Sequence, residues 1–140
     1  NETDRLALLD FKDGIKQDPL QIMSLWNDSV HFCNWVGVTC SPSNGRVMIM
    51  NLESQSLVGS ISPSIGNLTF LTGFNLKNNS FQGEIPQDLG RLLHLQYLNL
   101  SSNYFVGKIP TNLSHCTDLR VLDANVNELF GPIPDQLSSL

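Results

Sequence analysis

Three cysteines and three histidines are the residues of this chain best suited to covalent or metal chemistry. Cys33 and Cys40 frame the segment CNWVGVTC, and Cys116 is far from both. A close cysteine pair forms either a disulfide or half of a metal site, and a metal site needs further Cys or His ligands, of which only His31 is near. We therefore favour a disulfide between Cys33 and Cys40, which indicates an oxidising compartment.

Catalytic chemistry finds little support in the remaining reactive residues. His31, His94 and His115 have no spacing relative to a carboxylate and a nucleophile that would indicate a catalytic site. The Gly-rich phosphate loop and the HRD and DFG motifs of kinases are absent from the chain. We expect this chain not to be an enzyme, and we expect it to bind no metal and no cofactor.

Asparagine supplies the third kind of chemistry, because Asn-x-Ser/Thr accepts N-linked glycans. The chain has about three times as many of these sequons as its composition predicts by chance. This excess favours a secreted glycoprotein. The predicted glycosylation sites are Asn1, Asn27, Asn67, Asn78, Asn99 and Asn112.

Composition narrows the class further. The 140 residues suffice for one ordinary domain, with 41% hydrophobic residues, 15% charged residues and a formal net charge of −5. That content is too apolar for a disordered chain, and the absence of a basic cluster argues against a nucleic-acid partner. No apolar run approaches the ~18–20 residues that span a bilayer.

A period of 24 residues organises most of the chain. Gly59, Gly83, Gly107 and Gly131 are each 24 residues apart, and leucine-type residues recur between them at fixed positions. The unit L-x-x-L-x-x-L-x-L-x-x-N-x-F/L-x-G-x-I-P is a leucine-rich repeat. Four such repeats are predicted, at 44–67, 68–91, 92–115 and 116–139.

The repeat predicts an α/β solenoid whose short strands stack in parallel. Alternating pairs such as Leu98 and Leu100 give a strand with one buried face, and neighbouring repeats cover each other's leucines. We expect Asn79, Asn103 and Asn127 to bond backbone groups of the turn after each strand, with Gln55 in the same column of the first repeat. The segments that follow each Ile-Pro pair are expected to form short helical turns on the convex side.

Single residues of the repeat also carry expectations. Gly107 should allow a backbone geometry that a side chain would block, and Pro110 should end any second strand. Cys116 occupies a leucine column, which predicts a buried thiol rather than a nucleophile or a metal ligand.

Residues 1–43 do not follow the repeat and are predicted to form an N-terminal cap over the first strand. Thr3 or Asp4 is a candidate helix cap, and Ala7, Leu8, Phe11 and Ile15 fall on one helical face. Asp18-Pro19 predicts the start of a second helix through LQIMSLW.

The cap and the repeats together resemble a known family. The sequence LALLDFKDGI…DP…LWN…CNWVGVTC, followed by L-x-G-x-I-P repeats, resembles the extracellular part of plant leucine-rich-repeat receptor-like kinases. The resemblance covers the whole chain and is greatest to the subfamily of the flagellin and elongation-factor-Tu receptors. Two features depart from the pattern: MSLWN in the cap, and Ala124 at a leucine position of the fourth repeat.

The resemblance implies a function outside the cell. It implies a right-handed superhelix with the parallel strands on its concave face, a peptide or protein ligand, and a co-receptor kinase ectodomain as a second partner. It also implies a full-length parent that is a serine/threonine kinase in the plasma membrane, acting in immune or developmental signalling. Two alternatives stay open: a short secreted inhibitor of cell-wall-degrading enzymes, or the ectodomain of a co-receptor.

The predicted ligand-binding residues are strand positions that point away from the core. Regularly spaced polar side chains suit an extended peptide, although the same pattern is also that of an ordinary solvated face. Tyr97 is the one obvious aromatic anchor. The predicted set is Asn51, Glu53, Asn75, Lys77, Tyr97, Asn99, Ser101, Asp123 and Asn125, with Ile49, Gly73 and Val121 on the same face.

The end of the sequence carries one more expectation. Leu140 takes the first leucine position of a fifth repeat, which predicts that the solenoid continues. The fourth repeat is then expected to expose an uncovered edge that invites association. Its apolar residues are Leu119, Leu122, Leu129, Ile133 and Leu137.

Overall fold

The computed structural model describes residues 1–137. The chain forms a solenoid with two β-sheets side by side and one α-helix at its start. Leu140 lies outside the described residues. The helix α1 spans Glu2–Asp13. The strands are β1 (Ile15–Gln17), β2 (Val38–Cys40), β3 (Val47–Asn51), β4 (Val58–Gly59), β5 (Gly73–Asn75), β6 (Ser80–Glu84), β7 (Tyr97–Asn99), β8 (Tyr104–Gly107), β9 (Val121–Asp123) and β10 (Glu128–Leu129).

The first sheet, with the order β2-β3-β5-β7-β9, confirms the predicted parallel stack. Strands β3, β5, β7 and β9 pair in parallel, with residues 24 apart in register. Their inward side chains form a column in which Met50, Phe74 and Leu98 are fully buried. Each repeat therefore buries its leucine-type residues against the next one.

A second sheet runs beside the first, in the order β1-β4-β6-β8-β10. The repeat pattern did not predict it, because its strands are short and follow the turn asparagine without apolar alternation. Gly107 ends β8 with φ +83°, a left-handed conformation that favours glycine. Pro110 follows soon after, as expected for a strand that ends there.

Short 3₁₀ turns form the convex side, as predicted. Their core residues Ile65, Leu89 and Leu113 are fully buried. Packing between successive turns is tight, because a Cβ at Gly90 would clash with the Asn112 carbonyl oxygen. The 3₁₀ turns of the repeats span Pro63–Asn67, Gln87–Arg91, Thr111–His115 and Asp135–Leu137. Two further 3₁₀ turns, Met23–Leu25 and Phe32–Asn34, lie in the cap.

The turn asparagines form a ladder that joins consecutive repeats, in which Asn79 and Asn103 are buried and Asn127 is half-buried. The Asn103 Nδ2 donates to the carbonyl oxygens of Leu76, Leu100 and Ser101 at 2.9, 3.2 and 3.1 Å, and its Oδ1 accepts from the Phe81 N–H at 3.0 Å. Asn79 and Asn127 repeat this arrangement in their own repeats. The predicted role of these amides is confirmed, and each one bonds both its own turn and the preceding repeat.

The cap helix differs from its expected start and end. Asn1 is the N-cap and its Oδ1 accepts from the Asp4 N–H at 3.1 Å, so neither Thr3 nor Asp4 caps the helix. Asp4 is instead buried and bonded to a distant residue. Ile15 lies outside the helix, in β1, whereas Phe11 packs as predicted.

The prediction of a second helix is wrong. Only the 3₁₀ turn Met23–Leu25 forms, because Gln21 adopts φ +57° and breaks the helical path after Pro19. The Asp18 carboxylate still acts as a cap, and it accepts from the backbone N–H groups of Ile22 and Met23 at 3.0 and 2.7 Å.

The cap closes the first repeat as expected. Strand β2 pairs antiparallel with β3 and covers an edge that would otherwise leave backbone groups unpaired. A disulfide joins Cys33 to Cys40, whose Cα atoms are 5.4 Å apart. The Trp26 and Trp35 rings stack at 5.4 Å, and each indole N–H donates to backbone carbonyls of the cap.

Val126 occupies a strained backbone position of the fourth repeat. Ser54, Asn78 and Ser102, at the equivalent positions, share its left-handed φ near +57 to +60°. A β-branched residue tolerates that conformation poorly, whereas Asn adopts it readily. Val126→Asn is therefore expected to raise the free energy of unfolding by about 1 kcal/mol, measured by chemical denaturation. The control Val106→Asn, in β8, should give no such gain, and equal effects at both positions would contradict the assignment of strain.

Cys116 is buried as predicted, and its thiol contacts the Leu89 carbonyl oxygen at 3.4 Å. Burial raises the pKa of the Cys116 thiol to about 11. Since the folded pKa lies above the unfolded value, this thiol's contribution to stability is complete below pH ~9 and is lost as pH rises towards 11.

We expect iodoacetamide to label no cysteine in the native protein and one per chain after unfolding. In denaturation between pH 8 and 10.5, Cys116→Val should lose less stability than the unmodified chain. Rapid labelling of the folded protein would contradict the buried thiol.

Candidate ligand-binding face

The outward side chains of β3, β5, β7 and β9 form the candidate ligand-binding face. Two rows cross the sheet in register: an apolar row containing Ile49, Gly73, Tyr97 and Val121, and a polar row containing Asn51, Asn75, Asn99 and Asp123. Glu53, Lys77, Ser101 and Asn125 follow the polar row, where each strand turns. The register of the parallel strands thus brings the predicted residues together on one surface.

The side chains of the polar row form hydrogen bonds with their own backbone. Each member accepts, through Oδ1, a hydrogen bond from the backbone N–H two residues later, at distances of 2.9–3.2 Å. These bonds hold the turn that ends each strand. Each of these asparagine oxygens therefore has at least one lone pair engaged by its own turn.

Three of the predicted ligand contacts need correction. Asn75, Asn99 and Ser101 are only 8%, 6% and 4% exposed, so their side chains present little surface to a ligand. The Asn75 Nδ2 also donates to the Glu53 Oε1 at 2.9 Å. Asn51, Glu53, Lys77, Tyr97 and Asn125 remain exposed, and Asp123 is half-buried.

Asn99 holds Tyr97 in place. Its Nδ2 donates to the Tyr97 Oη at 3.0 Å, while its Oδ1 accepts from both the backbone N–H and the hydroxyl of Ser101. The tyrosine ring is therefore fixed over the sheet before any ligand arrives. Tyr97, which is 37% exposed, remains the aromatic anchor of this face.

The same contact argues against a glycan at Asn99. A glycan replaces an Nδ2 hydrogen and needs solvent around it, whereas this amide is buried beneath the tyrosine. We expect glycopeptide mapping to find Asn99 unoccupied in protein expressed through a secretory pathway. A glycan on Asn99 in a folded sample would show that the Tyr97 contact does not form.

The other sequons lie where a glycan meets fewer obstacles. Asn1 and Asn27 are exposed in the cap, and Asn78 is exposed in a turn. Asn67 and Asn112 lie in convex 3₁₀ turns and are half-buried, and the Asn67 Oδ1 accepts from Arg91 at 2.8 Å. Occupancy at these five positions stays a prediction.

A hollow interrupts the apolar row at Gly73. It has a volume of about 370 Å³ and lies between Ile49 and Tyr97, with Thr72 and Gln96 at one side. A Cβ added at Gly73 would contact only the Ile49 side chain, at 3.6 and 3.8 Å. The missing side chain at one strand between two large ones is the signal in the sequence that could have revealed this hollow.

A ladder at the edge of the face also follows the 24-residue period, through Arg46, Phe70, His94 and Asp118. The Arg46 guanidinium lies 4.6 Å from the Phe70 ring centroid, and the His94 ring stacks on Phe70 at 5.8 Å. Arg46 is anchored by Asp4, as its two bonds of 2.9 Å show. These contacts join the segments that precede β3, β5 and β7.

The described residues hold neither a cluster suited to a metal ion nor a membrane-spanning helix. Residues 1–137 contain no group of three His, Cys, Asp or Glu side chains placed to hold a metal ion. Across the described part of the chain, no helix is both long and apolar enough to span a bilayer.

Family models match both parts of the chain. The Leucine rich repeat N-terminal domain matches residues 1–41, and the Leucine Rich Repeat matches residues 70–92 and 94–116. The LRR receptor-like serine/threonine-protein kinase EFR of Arabidopsis thaliana is 49% identical over 76 residues, which is 54% of this chain. The matched region spans only 7% of that kinase.

Solved structures agree in fold and in sequence. The LRR ectodomain of the Arabidopsis thaliana membrane receptor kinase GASSHO1/SCHENGEN3, in complex with Casparian Strip Integrity Factor 2, is 34% identical with a TM-score of 0.89, over 96% of this chain and 16% of that one. The LRR ectodomain of the Arabidopsis thaliana receptor kinase SOBIR1 is 32% identical with a TM-score of 0.75, over 92% of this chain and 69% of that one. The chain therefore belongs to the leucine-rich-repeat family of plant receptor ectodomains.

Proposed function

We propose that this chain is the ligand-recognition region of a plant cell-surface receptor kinase and that its strand face binds a peptide or protein outside the cell. The observation that carries the proposal is the strand face itself. It combines a fixed aromatic side chain, a hollow and exposed polar groups on rigid strands. The GASSHO1/SCHENGEN3 ectodomain, which has the same fold, was solved in complex with a named factor.

The parent protein is proposed to carry a membrane span and a serine/threonine kinase, as receptors such as EFR are kinases by name. A co-receptor ectodomain is proposed as the second partner, in immune or developmental signalling. The proposed location is the cell surface, consistent with the disulfide and the sequons. Sequencing the parent transcript and locating its fluorescent fusion at the plasma membrane test this part. A transcript without a membrane span and kinase would favour the secreted inhibitor instead.

Binding by the strand face is tested with a photo-crosslinking amino acid. Benzoylphenylalanine replaces Tyr97 on the strand face or, as the control, Leu93, which is exposed on the convex side. Both proteins are illuminated in the extracellular fluid of the source tissue, and adducts are identified by mass spectrometry. We expect a specific adduct at position 97 and none at 93. Equal capture at both positions, or capture at 93 alone, would contradict the proposal.

A further inference from the structure

We propose that the hollow at Gly73 and the Lys77 ammonium form one subsite for an extended peptide segment that carries an apolar side chain and, a few residues away, a carboxylate. The inference rests on the proposed function, because it specifies the chemistry of a ligand on the same face. The inference goes beyond the proposed function because it assigns the ligand's chemistry to one strand, β5, and the turn that follows it. Gly73 supplies the space and Lys77 supplies the charge.

The hollow fits one side chain from outside. Ile49 and Tyr97 line it from the neighbouring strands and are 36% and 37% exposed, so each has apolar surface that a ligand can contact. Parallel strands are about 4.8 Å apart, so the axes of β3 and β7 lie about 10 Å apart, and the free gap between their side chains is about 6 Å once van der Waals contact distances are subtracted. A leucine-sized side chain fills such a space and buries apolar surface on both sides.

The polar groups around the hollow are mainly donors. The Asn51 Oδ1 is used by the Glu53 N–H, which leaves the Asn51 Nδ2 for a ligand. The Tyr97 Oη accepts from Asn99, so its own hydrogen remains to be donated. In residues 1–137, no hydrogen bond or ion pair engages the Lys77 ammonium. This donor-rich floor is complementary to carbonyl oxygens and to a carboxylate.

The acidic groups on the face do not cancel this preference. The Glu53 Oε1 accepts from the Asn75 Nδ2 at 2.9 Å, and the Asp123 Oδ1 accepts from the Asn125 N–H at 3.1 Å. These bonds leave both carboxylates charged, but within residues 1–137 neither forms an ion pair with the Lys77 ammonium, which is exposed. Four residues of extended chain separate Gly73 from Lys77, which is at most about 13 Å. A ligand whose two groups are four residues apart spans the same distance, and the even separation places both side chains on one side of an extended chain.

The test uses isotope-labelled protein and defined peptides in a nuclear magnetic resonance titration. The first probe is an acetylated, C-terminally amidated glycine heptapeptide with one leucine and, four residues later, one aspartate. The second replaces the aspartate with asparagine. The third lacks the aspartate and has a free C-terminal carboxylate, which separates a chain-end carboxylate from a side-chain one.

We expect the first probe to shift the amide signals of Gly73, Tyr97 and Lys77 in a saturable way at millimolar concentration, with about three-fold weaker binding of the asparagine probe. Gly73→Leu fills the hollow and should weaken binding at least ten-fold, while Thr111→Leu on the convex side should not. Lys77→Gln should abolish the difference between the two amidated probes, whereas Lys108→Gln should preserve it. Thermal unfolding of each variant checks that the fold is kept.

Shifts confined to other surfaces, equal binding of the aspartate and asparagine probes to the unmodified chain, or undiminished binding to Gly73→Leu would overturn the subsite. These results are separable from failure of the proposed function. A specific crosslink at position 97 without these peptide preferences removes only the subsite, and absence of the crosslink removes the ligand-binding face itself.

Discussion

Asn103→Asp is expected to lower the free energy of unfolding by about 4 kcal/mol. The change keeps the size of the side chain but replaces a buried donor by an oxygen. The new oxygen would face the carbonyl oxygens of Leu76, Leu100 and Ser101, which now accept from the Asn103 Nδ2. Repulsion and lost bonds would therefore act on two repeats at once. Chemical denaturation followed by circular dichroism measures the loss.

The matched control is Asn125→Asp, an identical substitution in an exposed turn residue of the next repeat. We expect it to change the free energy of unfolding by less than about 0.5 kcal/mol. Similar losses in the two variants would mean that charge alone, rather than the buried ladder, destabilises the protein.

Asp4→Asn is expected to cost about 3 kcal/mol of stability, because it breaks a buried ion pair from one side. The Asp4 carboxylate accepts from the Arg46 Nε and Nη2 at 2.9 Å each and from the Val47 N–H at 2.9 Å. Asp4 is 1% exposed, so an amide in its place would leave the Arg46 charge without its partner. Because this contact ties α1 to β3, the loss should detach the cap from the first repeat.

Hydrogen exchange of the cap amides measures that detachment, and Asp10→Asn on the exposed side of the same helix is the control. Combining Asp4→Asn with Arg46→Met should recover part of the lost stability, since the unpaired charge is then gone. A double variant as unstable as the sum of the single ones would contradict the ion pair.

Periodicity in the sequence was sufficient to predict the solenoid core. The 24-residue spacing placed Met50, Phe74 and Leu98 in one column, and the structure confirms that they are buried in register. It also predicted the role of Asn103 and the burial of Cys116, because a residue in a repeat column shares the environment of that column. The repeat pattern was sufficient to predict the burial of a side chain wherever the residues that pack against it belong to the neighbouring repeats.

The cap and the fine structure of the strand face depended on contacts between distant residues. Asp4 and Arg46 are 42 residues apart, and nothing local distinguishes Asp4 from an exposed N-terminal helix residue. The burial of Asn99 depends on the orientation of the Tyr97 side chain, which the alternation of strand residues does not specify. The second helix failed to form because Gln21 takes a left-handed conformation that propensity does not predict.

Amide hydrogen exchange of the protein with and without its captured ligand tests most directly whether the strand face is the recognition surface. We predict that the ligand slows exchange in β5 and β7 and in the turn at Lys77, while the convex 3₁₀ turns exchange at unchanged rates. Protection confined to the second sheet or to the convex turns, with β5 and β7 unchanged, would contradict the account.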